Sequence, residues 1–222
     1  MHTSPGHERE HHELACMRRA STPMIIGIDF DNTIVCYDGV FFESALERNL
    51  ISRDGPKSKT EIRDMFRSQD REDAWTELQG FVYGPGMKYA KPFPGVMEVL
   101  SLLAKAGNRI HIISHRTVHP YLGPEYDLHS AAREWISDHG LEVRTGIVDE
   151  DVFFEITLES KITRIRDAGC DVYVDDLPKC LEHELFPTHV RRILFDPDRV
   201  HEDVQNVEII SSWSSLRDVL QY

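Results

Sequence analysis

Ile25-Ile26-Gly27-Ile28-Asp29-Phe30-Asp31-Asn32-Thr33-Ile34 joins an unbroken apolar run to two carboxylates spaced i, i+2, with a hydroxyl residue two places further on. A run this apolar fits a strand covered on both faces, as in a parallel sheet. The carboxylates then fall just past its C-terminal end, the edge where open α/β sheets bind ligands. Neighbouring carboxylates repel one another. A divalent cation removes that cost, and Mg2+ favours sites with few carboxylates and several waters. The stretch points to metal-dependent chemistry.

The rest of the chain alternates in the same style. Val96, Val99, Leu100 and Leu103 recur at helical spacing and predict a helix over 95–106, ended by Gly107. Ile110-His111-Ile112-Ile113 reads as a second core strand that ends at Ser114. Further helices are predicted over 127–139, stopped by Gly140, and over 158–168, closed by Gly169. A strand is expected somewhere between Val143 and Phe154. Another spans Val172-Tyr173-Val174 and ends in Asp175-Asp176. A short helix before Pro187, a last clear strand over 190–195 and a terminal helix over 213–220 complete the series. Alternation of this kind implies a parallel sheet with right-handed crossovers. The fold class is α/β, a Rossmann-like parallel sheet sandwiched by helices.

Residues 38–90 break the pattern. They are charged and helix-like, with Leu46, Leu50, Ile62, Met65, Phe66, Trp75 and Leu78 as apolar spots and loops at Asp54-Gly55-Pro56 and Gly84-Pro85-Gly86. This segment is expected to be an inserted helical cap, leaving a core domain of 24–37 and 91–222. Residues 1–23 carry His2, His7, His11 and His12 without the apolar core of a signal peptide and read as a flexible tail. A metal site at His7, His11 and His12 is the alternative, but such tracts bind only weakly without a fold to fix them.

The 222 residues suffice for one α/β domain with an insertion, and 41% hydrophobic residues suffice for its core. No run reaches the length of a membrane span. A net charge of −13 argues against nucleic-acid binding and requires a local cationic pocket for any anionic substrate. Cys16, Cys36, Cys170 and Cys180 form no CxxC pair, and a reduced cytoplasmic protein is the default.

Three strand ends thus offer Asp29, Asp31 and Thr33; Ser114; and Asp175 with Asp176. Lys161 lies at the start of the helix before the last pair. Taken singly, each has a plain structural explanation: Asp and Ser as turn or cap residues, Lys as a solvated helix residue. Gathered at one crevice, they suit phosphoryl transfer, which needs a nucleophile, a metal, hydrogen-bond donors and positive charge around the equatorial oxygens.

Their order resembles the haloacid dehalogenase (HAD) superfamily of phosphohydrolases. That pattern is a DxDx(T/V) strand end, a strand ending in Ser or Thr, a Lys, and then an acidic pair. It is matched by Asp29-Phe30-Asp31-Asn32-Thr33, Ser114, Lys161 and Asp175-Asp176, and the resemblance runs from Met24 to about Phe195. The resemblance implies that Asp29 is the nucleophile and a Mg2+ ligand. Asp31 is implied as proton donor and then base, with its backbone carbonyl on the metal. Ser114 and Lys161 are implied to bind phosphate, Thr33 to brace the loop, Asp176 to ligate Mg2+, and Asp175 to support it. An Asp at position 31 resembles phosphatases and phosphotransferases rather than the dehalogenases that named the family. An insertion between the first and second motifs resembles the C1-capped branch, whose closure favours compact phosphates.

The loop after Ser114 carries Arg116, read either as a clamp for an anionic group of the substrate or as a surface salt bridge. Lys88, Tyr89 and Lys91, at the return of the insertion, are read as solvated or as facing the crevice. The expected activity is that of a Mg2+-dependent phosphatase hydrolysing a small phosphorylated metabolite through an aspartyl-phosphate. The alternatives are a phosphotransferase with the same machinery and a catalytically silent binding or regulatory module on the same fold.

Overall fold

The computed structural model describes residues 22–201 and 204–222. The expected tail, with its four histidines and Cys16, lies outside the described residues except for 22 and 23. The elements in chain order are β1 (Ile25–Ile28), β2 (Val35–Cys36), α1 (Val40–Glu47), α2 (Lys59–Ser68), α3 (Glu72–Tyr83), β3 (Lys91–Pro92), α4 (Val96–Lys105), β4 (Arg109–His115), α5 (Leu128–Asp138), α6 (Leu141–Thr145), β5 (Val152–Glu155), α7 (Leu158–Asp167), β6 (Val172–Asp175), α8 (Pro178–Leu181), β7 (Arg191–Phe195), β8 (Glu208–Ile210) and α9 (Trp213–Val219). No helix among the described residues is long and apolar enough to cross a membrane.

Six strands form one sheet in the order β5-β4-β1-β6-β7-β8, and every neighbouring pair is parallel. This is the Rossmann-like α/β architecture that the alternating pattern implies. The chain lays β4 and β5 to one side of β1 and then β6, β7 and β8 to the other. The order therefore reverses at β1, and the C-terminal ends of β4, β1 and β6 border the crevice of a topological switch point.

β1 sits at the centre because nothing in Ile25-Ile26-Gly27-Ile28 asks for solvent. Ile26 and Ile28 are fully buried. Gly27 answers a close approach: a Cβ there would lie 2.7 Å from Tyr173 Cδ2 and 2.8 Å from Cys170 Sγ. The missing side chain leaves room for the Tyr173 ring of β6 to cross β1, and its hydroxyl donates to the Ile113 carbonyl of β4 at 2.5 Å. One phenol thus ties together the three strands that border the crevice.

Two sequence expectations need refining. The strand expected between Val143 and Phe154 is confined to β5. Upstream of it the chain forms α6, bracketed by Gly140 and Gly146 at φ of 65° and 72°. Leu141 is the buried residue of that turn and Val143 is 91% exposed, so its apolar letters do not mark a strand. The strand over 190–195 is the last with a clear apolar run, and β8 follows it, only three residues long with Ile210 alone buried.

α1, α2, α3 and a 3-10 helix (Pro85–Tyr89) lie between β2 and β3. These two short strands pair antiparallel, Val35 with Pro92 and Cys36 with Lys91, so the chain leaves and rejoins the rest at one place. Phe41, Ile62, Phe66, Trp75, Leu78 and Val82 fill the interior of this bundle, with Phe41 and Trp75 stacked at 5.2 Å. α2 is opened by a capping box: Ser58 accepts from the Glu61 N–H, and Glu61 accepts in turn from the Ser58 N–H. We propose the boundaries 38–90 for a cap unit on this basis.

Gly27→Ala is expected to destabilise the fold by about 1–3 kcal/mol through overpacking against Tyr173 and Cys170. Denaturant unfolding with an unchanged midpoint would show that the Tyr173 crossing does not depend on the glycine.

Candidate active site

The polar residues are placed by the turn that follows β1. Asp29 still pairs as a strand residue, its N–H donating to the Val174 carbonyl at 2.9 Å. The chain then turns back, and the N–H groups of Ile34 and Val35 both donate to the Phe30 carbonyl at 3.0 Å. Asn32 sits at φ 57°, a left-handed conformation that Asn tolerates better than most residues. Phe30 anchors the turn from below, edge-on to Trp135 at 5.5 Å and Phe154 at 5.7 Å. Trp213 of α9 anchors it from the side, its indole N–H donating to the Thr33 carbonyl at 3.1 Å. The Thr33 hydroxyl, expected to brace the loop, is buried with no hydrogen-bond partner among the described residues. The bracing atom here is its carbonyl.

Asp29 comes together with Asp175 and Asp176 from the end of β6. One carboxylate oxygen of each lies within 4.8 Å of the others. Lys161 enters from the first turn of α7, which Thr157 caps by accepting from the Ser160 N–H. Its buried ammonium donates to Asp29 Oδ1 at 2.6 Å and Asp175 Oδ2 at 2.7 Å. The other oxygen of Asp175 accepts from the Leu177 N–H at 2.9 Å, which fixes the turn after β6. Ser114 is buried at the end of β4 and lines the same cavity.

The electrostatics follow from burial. Asp29 is pushed up from 3.8 to about 7, first by desolvation and then by Asp175 and Asp31, with Lys161 pulling the other way. Asp176 is raised well above the usual carboxylate range, again by desolvation and then by Asp29 and Asp175. Lys161 loses most by desolvation, yet Asp175 and Asp29 outweigh that loss and hold it charged. Asp29, Asp175 and Asp176 thus share one ammonium. A hard divalent cation with oxygen preference suits this donor set, and three carboxylate oxygens so close together fit it.

Asp31 points elsewhere. Arg116 Nη1 donates to both of its oxygens, at 2.7 and 2.6 Å, and the Tyr37 hydroxyl donates to Oδ1 at 2.5 Å. Arg116, expected to face the substrate or the surface, is itself buried. Its Nε donates to the Leu128 carbonyl at 2.9 Å, and Nη2 to the Tyr83 carbonyl and to Met87 Sδ. All three nitrogens are engaged within the chain. Desolvation works against the guanidinium, but Asp31 more than restores its charge.

These groups open into a cavity of about 430 Å3. Asp29, Asp31, Ser114 and Asp176 line it from the strand ends, Lys161 from α7, Lys59, Thr76, Gln79 and Tyr83 from α2 and α3, and Thr117, Pro120 and Tyr121 from the loop after β4. Gly80 of α3 permits the close approach between the inserted helices and that loop, since a Cβ there would lie 2.7 Å from Pro120 Cβ.

No family model matches the sequence. A Bacillus cereus protein named "Putative nucleotidase" is 24% identical over 164 residues, covering 72% of this chain and 77% of that protein. Among solved structures, the HAD-hydrolase YfnB from Bacillus subtilis, bound to magnesium, superposes with a TM-score of 0.59 at 12% identity, covering 90% of this chain and 99% of that one. The haloacid dehalogenase-like protein SP0104 from Streptococcus pneumoniae gives 0.58 at 13% identity over the same shares. The chain has the haloacid dehalogenase-like fold.

Within this HAD-like fold, the strand ends carry the residues that the sequence pattern singled out. Lys88, Tyr89 and Lys91 do not line the cavity; from the segment between β2 and β3 the lysine that does is Lys59. Lys59, Thr76 and Gln79 escaped sequence reading because helical insertions carry no fixed spacing to the strand-end motifs, and Tyr37 because a lone tyrosine after a short strand carries no signal of its own. Lys59 alone left a trace: a cation at the first position of a helix opposes the macrodipole.

Protons compete with a cation for the acid cluster, and the raised value of Asp29 places that competition near neutrality. Mg2+ is therefore expected to raise the thermal midpoint more at about pH 8 than at about pH 6, because more Asp29 is ionised at the higher pH. Equal shifts at both would remove Asp29 from the cation site.

Proposed function

We propose that this protein is a Mg2+-dependent phosphatase of a small phosphorylated metabolite, acting through an aspartyl-phosphate on Asp29. The observation that carries the reading is the Lys161 ammonium bound to both Asp29 and Asp175, with Asp176 beside them, at the floor of a cavity large enough for a small ester. A nucleotidase-named relative and a magnesium-bound structural neighbour agree with it.

In this reading an oxygen of Asp29 attacks phosphorus and the bond to the ester oxygen breaks. Asp31 gives a proton to the departing oxygen. It then takes a proton from the water that attacks the aspartyl-phosphate, which frees inorganic phosphate and restores Asp29. Ser114 donates to a phosphoryl oxygen, and Lys161 offsets the charge of nucleophile and phosphate. Asp29, Asp176 and the Asp31 carbonyl would hold Mg2+, with Asp175 supporting the set through Lys161. The ion would supply charge neutralisation between the carboxylate and the approaching phosphate.

Arg116 takes a different part from the substrate clamp considered on sequence grounds. We assign it, with Tyr37, to positioning Asp31. A carboxylate offers about four acceptor sites, and these donors take three of them, so Asp31 keeps one site to carry the proton it gives to the leaving oxygen and later takes from water.

Asp29→Asn is expected to lower hydrolysis of an aryl phosphate by at least about a thousandfold while the circular dichroism stays native. Turnover near the wild-type rate would refute the nucleophile assignment. Chelation should stop the reaction, and Mg2+ should restart it. Arg116→Met is expected to lower kcat by about a hundredfold at little cost in KM, because a misplaced Asp31 slows the proton steps. A raised KM with kcat intact would return Arg116 to substrate binding.

A further inference from the structure

Lys59, Arg116 and Lys161 are the lysine and arginine residues lining the cavity. Lys161 is held by Asp29 and Asp175, and Arg116 by Asp31. Lys59 is the cavity cation that forms no ion pair among the described residues; its polar partner is neutral, the Tyr83 hydroxyl at 3.1 Å. Its ammonium rests over the rings of Phe41 and Tyr83, 5.2 and 5.8 Å from their centroids. An ammonium has three donors, so two remain for a ligand.

Stability alone does not favour a lysine here. Lys59 is the first residue of α2, where an acidic side chain would suit the macrodipole and a cation opposes it. Glu61 does not neutralise it, since its carboxylate accepts from the N–H groups of Lys57 and Ser58. Lys59 thus keeps its own charge at the exposed start of α2. In a chain of net charge −13, this is a local cationic spot on the wall contributed by the inserted helices.

We propose that Lys59 binds a second anionic group of the substrate, so that the accepted phosphomonoester carries a carboxylate or a further phosphate on its carbon skeleton. The inference rests on the phosphatase reading for which end of the molecule meets Asp29. The reacting phosphoryl group sits among Ser114, Lys161 and Asp29, and the second anion meets Lys59 on the α2 side. Thr76 and Gln79 of α3 offer neutral hydrogen bonds to the skeleton between them.

Binding of matched ligands to the Asp29→Asn protein in the presence of Mg2+, followed by calorimetry, separates the two readings. One arm compares phosphoglycerate with glycerol phosphate, and the other a hexose bisphosphate with the hexose monophosphate. In at least one arm the two-anion ligand is expected to bind about tenfold tighter, the scale of one charge-assisted contact. Adding Lys59→Gln should erase that preference and Lys59→Arg should keep it. The arm that responds identifies the anion. Equal binding within both arms, or a preference that survives Lys59→Gln, overturns the proposal. A Lys59-dependent preference in a wild-type protein that hydrolyses neither ester would uphold the anion site and refute the phosphatase reading alone.

Discussion

Four carboxylates, from Asp29, Asp31, Asp175 and Asp176, meet at the ends of two adjacent strands, and the architecture of the site follows from how their charge is met. Lys161 serves the Asp29 and Asp175 side. Arg116 serves Asp31. Four acids against two cations leave two negative charges, the amount one divalent ion carries. Burial first, and then the neighbouring carboxylates, push Asp29 and Asp176 toward protonation. Removing either cation would leave a buried charge unpaired, which is more damaging than losing the pair as a whole.

The two cations divide the site into halves with different duties. Lys161 comes from a helix of the sheet layer and reaches residues of β1 and β6. Arg116 reaches from the end of β4 to the carbonyl of Tyr83 and the sulfur of Met87, both in the insertion. The Asp29 side is thereby tied to the sheet. The Asp31 side is tied to the helices that also present Lys59, Thr76 and Gln79. A shift of those helices would move Asp31 and that wall of the cavity together.

Legibility in the sequence tracks how local the signal is. β1, β4, β6 and β7 were readable because central parallel strands need uninterrupted apolar runs, and the strand-end acids stand out against them. α4, α5 and α7 were readable from apolar spacing and from Gly107, Gly140 and Gly169. β8 was not, because a three-residue edge strand with one buried side chain has no period to detect. α6 is not legible because Val143 is apolar yet faces solvent, so the letters do not separate it from the strand that follows. In the site, Asp29, Ser114, Lys161 and Asp176 announced themselves by order along the chain. The partners of Arg116 did not: Tyr37, Tyr83 and Met87 lie in or beside the insertion, and only three-dimensional contact joins them to position 116. Gly27 was visible as a letter, but its purpose depends on a tyrosine of β6 crossing over it.

The pairing of β2 with β3 has a bearing on how such proteins diversify. Because Val35 and Cys36 lie against Pro92 and Lys91, everything between them hangs from a single narrow stem. A stem of this kind is indifferent to the length of what it carries. Longer, shorter or differently folded segments could be exchanged there in the course of descent with the strands beneath kept, provided that the newcomer meets Arg116 as Tyr83 and Met87 do.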